Sequence, residues 1–110
     1  MKPLSKVWIV TEKGAIVFGD GRLHMLELID RLGSMNKAAR EMGMSYRSLW
    51  GKIHGTEKAL DIKLIETQVG GGRSGGSRLT LEARSLMERF RKLQEIVTIT
   101  ADDEFRAVFG

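Results

Sequence analysis

The stretch AAREMGMSYRSLWGKI, residues 38–53 of a 110-residue chain, decides the fold. Two helices that meet through small residues and are joined by a glycine turn are typical of a helix-turn-helix. Ala38 and Ala39 are small enough for the helices to approach closely, and Gly43 suits the left-handed position that ends a helix. Ser45 is a typical N-cap for a second helix that runs to about residue 60. The stretch therefore predicts a helix-turn-helix, and an ordinary helical hairpin with a glycine corner is the alternative for this segment alone.

The second helix of this pair has one apolar face and one polar face. At 100° per residue Leu49 and Ile53 share an arc that seats the helix on a core, and small side chains on the opposite face would allow close approach to a major groove. We expect Ser45 and Lys37 to reach phosphates. The complete set of expected DNA contacts in and before this helix is Lys37, Ser45, Tyr46, Arg47, Ser48, Gly51, Lys52 and His54. We expect Trp8 and Trp50 to be packing residues.

A second hairpin follows, with five glycines in the seven positions 70–76. The strands LIETQV and SRLT flank this glycine-rich tip and predict a wing. We expect Arg73, Ser74 and Arg78 to contact DNA there, because guanidinium groups and exposed backbone amides suit phosphates or a minor groove. A glycine loop without a ligand is the alternative. The tip also matches GxGxxG by letter, but a strand rather than a helix follows it, which argues against a dinucleotide site.

The remaining segments complete a fold that is mainly α with small β. The runs VWIV and AIVF predict an N-terminal hairpin. Asp20 is predicted to cap a helix over 21–32. Thr80 is predicted to cap a final helix that has an apolar a/d stripe. We expect the first and last helices to form a dimer interface of Leu26, Ile29, Leu86, Phe90, Leu93 and Val97. Residues 1–100 would form the winged domain with its dimerisation helix, and 101–110 an acidic tail.

Charge and composition restrict the function. The net charge is +4, and residues 37–78 hold eight basic and four acidic side chains, so the excess lies in the predicted binding region. There is no cysteine and there are two histidines, which disfavours disulfides and zinc sites. No pair of carboxylates and no nucleophile–base arrangement predicts catalysis, so we expect no enzyme activity, cofactor or metal. The apolar run at 7–10 is too short for a membrane segment, and we expect a cytoplasmic protein.

A family resemblance rests on GDGRLHMLELIDRLGSMNKAAREMGMSYRSLW, residues 19–50, and LIETQVGGGRSGGSRLT, residues 64–80. These stretches resemble the DNA-binding domain of ModE-type molybdate-responsive regulators and, more broadly, LysR-type winged helices. The resemblance implies a homodimeric transcriptional regulator on a palindromic operator. Sensor members of the family carry oxyanion-binding domains after the final helix, where this chain stops, so we do not expect molybdate binding. A winged-helix module that binds protein instead of DNA is the alternative.

Overall fold

A computed structural model describes residues 1–68 and 76–110, so Arg73 and Ser74 of the predicted wing contact lie outside the described residues. In chain order the elements are β1 (Ile9–Val10), β2 (Ile16–Phe18), α1 (Asp20–Leu32), α2 (Met35–Glu41), α3 (Tyr46–Leu60), β3 (Ile65–Gln68), β4 (Gly76–Leu79) and α4 (Leu81–Phe109). The strands form two antiparallel pairs, β1 with β2 and β3 with β4. The predicted fold class, mainly helical with two small hairpins, is confirmed.

The predicted helix caps at Ser45 and Thr80 are confirmed, and Ser34 caps α2 in the same way. The hydroxyl oxygens of Ser34, Ser45 and Thr80 each accept a hydrogen bond from the backbone N–H three residues later. The predicted cap at Asp20 is wrong, because Asp20 is the first residue of α1 and the N-cap position belongs to Gly19, which has no side chain to accept a bond. The carboxylate of Asp20, in the first turn of α1, still interacts favourably with the positive end of the helix dipole.

The core forms around α1, which is covered by neighbours on most of its circumference. Leu26 and Ile29 are fully buried, and the rings of Phe18 and Phe90 meet edge to face with centroids 5.1 Å apart. α1 contacts α2, α3, β2 and β4, and α4 is joined to it by side-chain bonds. The expectation that Leu26, Ile29, Leu86 and Phe90 face a second copy is therefore wrong, since a single chain already buries all four.

The last helix reaches far beyond this core. At 1.5 Å per residue, the 29 residues of α4 extend about 43 Å, against a longest molecular dimension of 62 Å. Its buried side chains end at Phe90, and Leu93, Ile96 and Ile99 are 40–52% exposed. The helix continues to Phe109, so residues 101–109 are part of α4, which corrects the expectation of a separate acidic tail. No helix in the described part combines the length and the apolar composition needed to cross a membrane.

Polar bonds join α1 to the first half of α4. The Arg84 guanidinium donates two hydrogen bonds to the Asp30 carboxylate, at 2.8 and 3.2 Å. One turn earlier on α1, the Glu27 carboxylate lies 2.7 Å from the Arg91 guanidinium. The hydrogen bonds from Arg84 stabilise the charged form of the Asp30 carboxyl and hold its pKa below the ordinary value of 3.8.

A second polar network joins α1, β2 and α3. The Thr56 hydroxyl is fully buried and donates to the carbonyl of Val17 at 2.5 Å. The Arg22 Nη1 lies 3.0 Å from the Thr56 hydroxyl and 2.9 Å from the same carbonyl, and burial lowers the pKa of this guanidinium. Buried polar groups of this kind are stabilising when every partner is present.

Substitution of Thr56 by valine tests this network. The methyl group keeps the shape but removes a buried hydroxyl, so we expect the free energy of unfolding to fall by about 1–3 kcal/mol. Urea denaturation followed by circular dichroism measures the change. Thr67→Val, at an exposed position of β3, is the control and should shift stability by less than about 0.5 kcal/mol. Equal effects of the two variants would contradict a stabilising role for the buried hydroxyl.

The Asp30–Arg84 pair makes stability depend on pH. Because the folded-state pKa of Asp30 is lowered, the pair stabilises the fold above the unfolded value of 3.8, and this contribution is lost as pH falls through the lowered pKa. We expect the free energy of unfolding of Asp30→Asn to fall less steeply than that of wild type between about pH 7 and about pH 3. Arg84→Gln should flatten the profile in the same way, and the double variant should add nothing. An unchanged profile in Asp30→Asn would contradict the pairing.

Candidate nucleic-acid interface

The turn between α2 and α3 has the geometry that the sequence predicts. Gly43 adopts a φ of 68°, and the Met44 N–H donates to the carbonyl of Ala39 at 3.0 Å. Ala38 and Ala39 are buried where α2 packs on its neighbours. Leu49 and the α3 residues that follow it at helical spacing face the core. The helix-turn-helix is therefore confirmed, and it leaves the opposite face of α3 in solvent.

Arg47, Gly51 and Lys52 lie on this exposed side of α3. The Lys52 ammonium donates to the Ser48 hydroxyl at 3.2 Å, one helical turn earlier. Within residues 1–68 and 76–110, no salt bridge involves Arg47, Lys52 or Lys37. The exposed side of α3 therefore carries positive charge that is not neutralised by carboxylates of the described part.

Gly51 lies in the middle of α3 and is exposed. A Cβ atom built on it would meet no heavy atom within 4 Å, so packing inside the chain does not require glycine at this position. Glycine in a helix interior costs about 1 kcal/mol relative to alanine. Gly51 therefore leaves bare backbone on the exposed side of α3.

An aromatic cluster covers the flank of α3 that faces β3. The Trp50 and His54 rings stack with centroids 4.6 Å apart, and His54 Nδ1 lies 3.3 Å from Glu57 Oε1. The other Glu57 oxygen accepts from the Leu64 N–H at 2.8 Å, which ties this flank to the start of β3. One edge of the His54 ring therefore faces Glu57, and the expected contact of His54 with DNA stays a prediction.

Trp50 and Tyr46 are 47% and 46% exposed, so the interpretation of Trp50 as a packing residue is wrong in part. Both side chains line a shallow pocket between α3 and the second hairpin. Their spacing of four residues places them on one side of a helix, and this spacing was the signal that sequence reasoning did not use. Trp50 is thus a candidate binding residue that the sequence analysis missed.

The second hairpin is fixed to the end of α1 through the first residues of β4. The Ser77 N–H donates to the carbonyl of Gly33 at 3.0 Å, and a Cβ on Gly76 would lie 2.9 Å from that same oxygen. Only glycine fits at position 76 without a shift of the backbone. On the strands, Arg78 Nε donates to Glu66 Oε2 at 3.1 Å, and both side chains are exposed. Arg78 is therefore paired across the hairpin, and its expected contact with DNA stays a prediction.

Ser45 and Lys37 lie at the N-terminal ends of α3 and α2, and both are exposed. The Ser45 hydroxyl oxygen accepts from the Ser48 N–H at 3.0 Å, which leaves the hydroxyl hydrogen free to donate. The expected helix contacts Lys37, Ser45 and Arg47 are thus exposed, whereas Arg78 lies on β4 with its guanidinium bonded to Glu66.

Comparisons with known proteins agree with this architecture. Residues 21–84 match the family described as bacterial regulatory helix-turn-helix protein, lysR family. The chain is 31% identical over 97 residues to the molybdenum-pterin-binding protein MopA of Rhodobacter capsulatus, covering 88% of this chain and 37% of that protein. It is 31% identical over 80 residues to the transcriptional regulator ModE of Haemophilus influenzae, covering 73% of this chain and 31% of that protein.

The fold is also similar to the crystal structure of a CbnR DNA-binding domain in complex with DNA. The TM-score is 0.57 at 21% identity, with 79% of this chain and 94% of that chain covered. The chain spans about a third of the length of the curated relatives it matches. The family match covers both helices of the helix-turn-helix and the whole second hairpin, and on this ground the chain belongs to the LysR family of bacterial regulatory helix-turn-helix proteins.

Proposed function

We propose that α3 enters the major groove of duplex DNA and that the chain is the DNA-binding part of a transcriptional regulator. The exposed side of α3, where Gly51 is bare and Arg47 and Lys52 have no carboxylate partner in the described part, carries the proposal. A helix with cationic and small side chains on its outward face suits a groove that an α-helix can enter. A cytoplasmic location belongs to the same proposal, since bacterial DNA is found there.

The roles of individual residues are assigned by chemistry. Lys37 and the Ser45 hydroxyl, at helix N-termini, suit phosphate oxygens, because backbone amides and the helix dipole favour anions there. Arg47 presents a guanidinium that can bind a guanine edge through two hydrogen bonds. Ser48 and Gly51 allow the backbone of α3 to approach the bases. The wing contact of Arg73, Ser74 and Arg78 stays a prediction.

The names of similar proteins support this function. The ModE protein of Haemophilus influenzae is described as a transcriptional regulator, and the CbnR domain was crystallised with DNA. An interaction module without DNA binding has no need for cationic side chains around a bare glycine on α3. That this chain does not bind molybdate stays a prediction.

Arg47→Ala tests the assignment of α3. We expect loss of a bidentate guanine contact to weaken binding to a selected duplex by about 1–3 kcal/mol and to relax preference at one base position. Fluorescence anisotropy on a duplex recovered from a random pool, and on a random-sequence duplex, measures both effects.

Lys13→Ala is the matched control, because Lys13 is an exposed cation in the turn between β1 and β2. It should leave affinity nearly unchanged. Equal losses of affinity for Arg47→Ala on the selected and random duplexes would show that Arg47 contacts phosphate and not a base. Absence of binding to any duplex at about 50 mM salt, where phosphate contacts are strongest, would overturn DNA binding and favour the interaction module.

We further propose that two copies pair through the part of α4 beyond the core. Leu93, Ile96 and Ile99 leave apolar surface in water, and each buried side chain of this size contributes about 1.5–3 kcal/mol. Of the interface expected from the sequence, Leu93 and Val97 remain available. A two-fold axis between such helices would present two copies of α3 to a palindromic operator with half-sites about 34 Å apart.

Leu93→Glu tests this pairing. Charge placed on the exposed apolar stripe should give a monomer that keeps its fold and loses most operator affinity, as measured by light scattering and anisotropy. Thr98→Glu is the control, since five residues place it about 140° around α4 from Leu93. A wild-type chain that stays monomeric at tens of micromolar would show that α4 does not pair, and the expected palindrome would fail with it.

A further inference from the structure

The N-terminal hairpin, which lies outside the residues that match the family, packs beside α3 on the flank opposite the second hairpin. Its β2 strand is bound to α3 through the Val17 carbonyl and the buried Thr56 hydroxyl. The other flank of α3 carries Tyr46 and Trp50 and is tied to β3 through Glu57. α3 therefore lies between two hairpins, of which only the second belongs to the expected DNA contact.

A groove of about 370 Å³ separates the N-terminal hairpin from α3 and the start of α1. Lys6, Arg22 and Lys52 contribute cationic side chains to its walls. The single acidic side chain on its walls in the described part, Asp20, accepts a hydrogen bond from Gln94, which directs its carboxylate toward α4. The groove is thus electropositive and continuous with the exposed side of α3, because Lys52 belongs to both.

Trp8 forms the outer wall of this groove. Its side chain is 51% exposed and lies against Gly19, where an added Cβ would come within 3.0 Å of Trp8 Cβ. The Lys6 ammonium lies 5.8 Å from the centre of the indole ring, within the range of a cation–π contact. No salt bridge of the described part involves Lys6 or Lys52, so both ammonium groups are available to an anion.

We infer, on the basis of the proposed DNA binding, that this groove holds the sugar-phosphate backbone beside the major groove that α3 enters. Lys6 and Lys52 would bind phosphate oxygens from its two walls, and the flat face of Trp8 would pack against a sugar. The fixed charge of Arg22, held by the carbonyl of Val17, adds to the attraction. The N-terminal hairpin is then a second backbone contact, on the other flank of α3 from the second hairpin, and it fixes orientation without reading sequence.

Lys6→Ala is the test, with Lys13→Ala as the matched control. Lys13 lies in the exposed turn of the same hairpin and does not line the groove. Anisotropy titrations on a duplex selected by the wild-type chain and on a random-sequence duplex should show that Lys6→Ala weakens both by a similar factor, roughly 3–10-fold at about 50 mM salt. The slope of log K against log salt should become shallower by about 0.9, the value for one lost phosphate contact on duplex DNA.

Lys13→Ala should stay within about twofold of wild type with an unchanged slope, and the charge-preserving Lys6→Arg should restore most of the binding. Single methylphosphonates, which remove one phosphate charge at a time, should be placed along the selected duplex. At one position the wild-type chain and Lys6→Ala should then bind with the same affinity. Thermal melts of each variant verify that the fold is kept.

Two results separate failure of this inference from failure of DNA binding. If Lys6→Ala behaves like Lys13→Ala in affinity and slope while Arg47→Ala weakens binding, the hairpin does not contact DNA and the function of α3 stands. If the wild-type chain binds neither duplex, the proposed function is overturned and the hairpin contact with it.

Discussion

The burial of α1 inside a single chain is the constraint on which the rest of the structure depends. Its apolar side chains extend over more than half of the helix, and each of them needs a neighbour. β2, α2, α3, β4 and α4 supply those neighbours, while β1 and β3 are held through their partner strands. Because the neighbouring elements pack against α1, none of them buries the apolar side chains of α4 beyond Phe90 in one chain.

The glycines at three positions differ in whether the backbone conformation or the packing requires glycine. At Gly43 a φ of 68° requires it for the turn, and at Gly76 the nearby carbonyl of Gly33 leaves no room for a side chain. At Gly51 neither reason applies, since the backbone is helical and the space is open. Neither the backbone conformation nor the packing of the described residues thus requires glycine at position 51, where it lowers the helix propensity of α3.

Local patterns predicted the elements of the fold, whereas the partners of each face depended on contacts distant in sequence. Caps such as Ser45 and Thr80 and the turn at Gly43 follow from short-range geometry, and all three are confirmed. The prediction places Leu26 and Ile29 in a dimer interface although one chain buries both, because a helix pattern does not show how many neighbours one chain can supply. Trp50 was assigned to packing for a similar reason, since aromatic side chains are usually buried.

The candidate site combines a rigid base with exposed, unneutralised side chains. Thr56 and Glu57, adjacent on α3, bond to opposite neighbours, one to the carbonyl of Val17 before α1 and the other to the N–H of Leu64 before β3. These bonds fix the rotation of α3 about its own axis, because a turn in either direction would break one of them. The side of α3 on which Arg47 lies is thereby held in place by contacts more than two turns further along the helix. A surface that reads a groove needs this property, since a contact displaced by 1 Å loses its hydrogen-bond geometry.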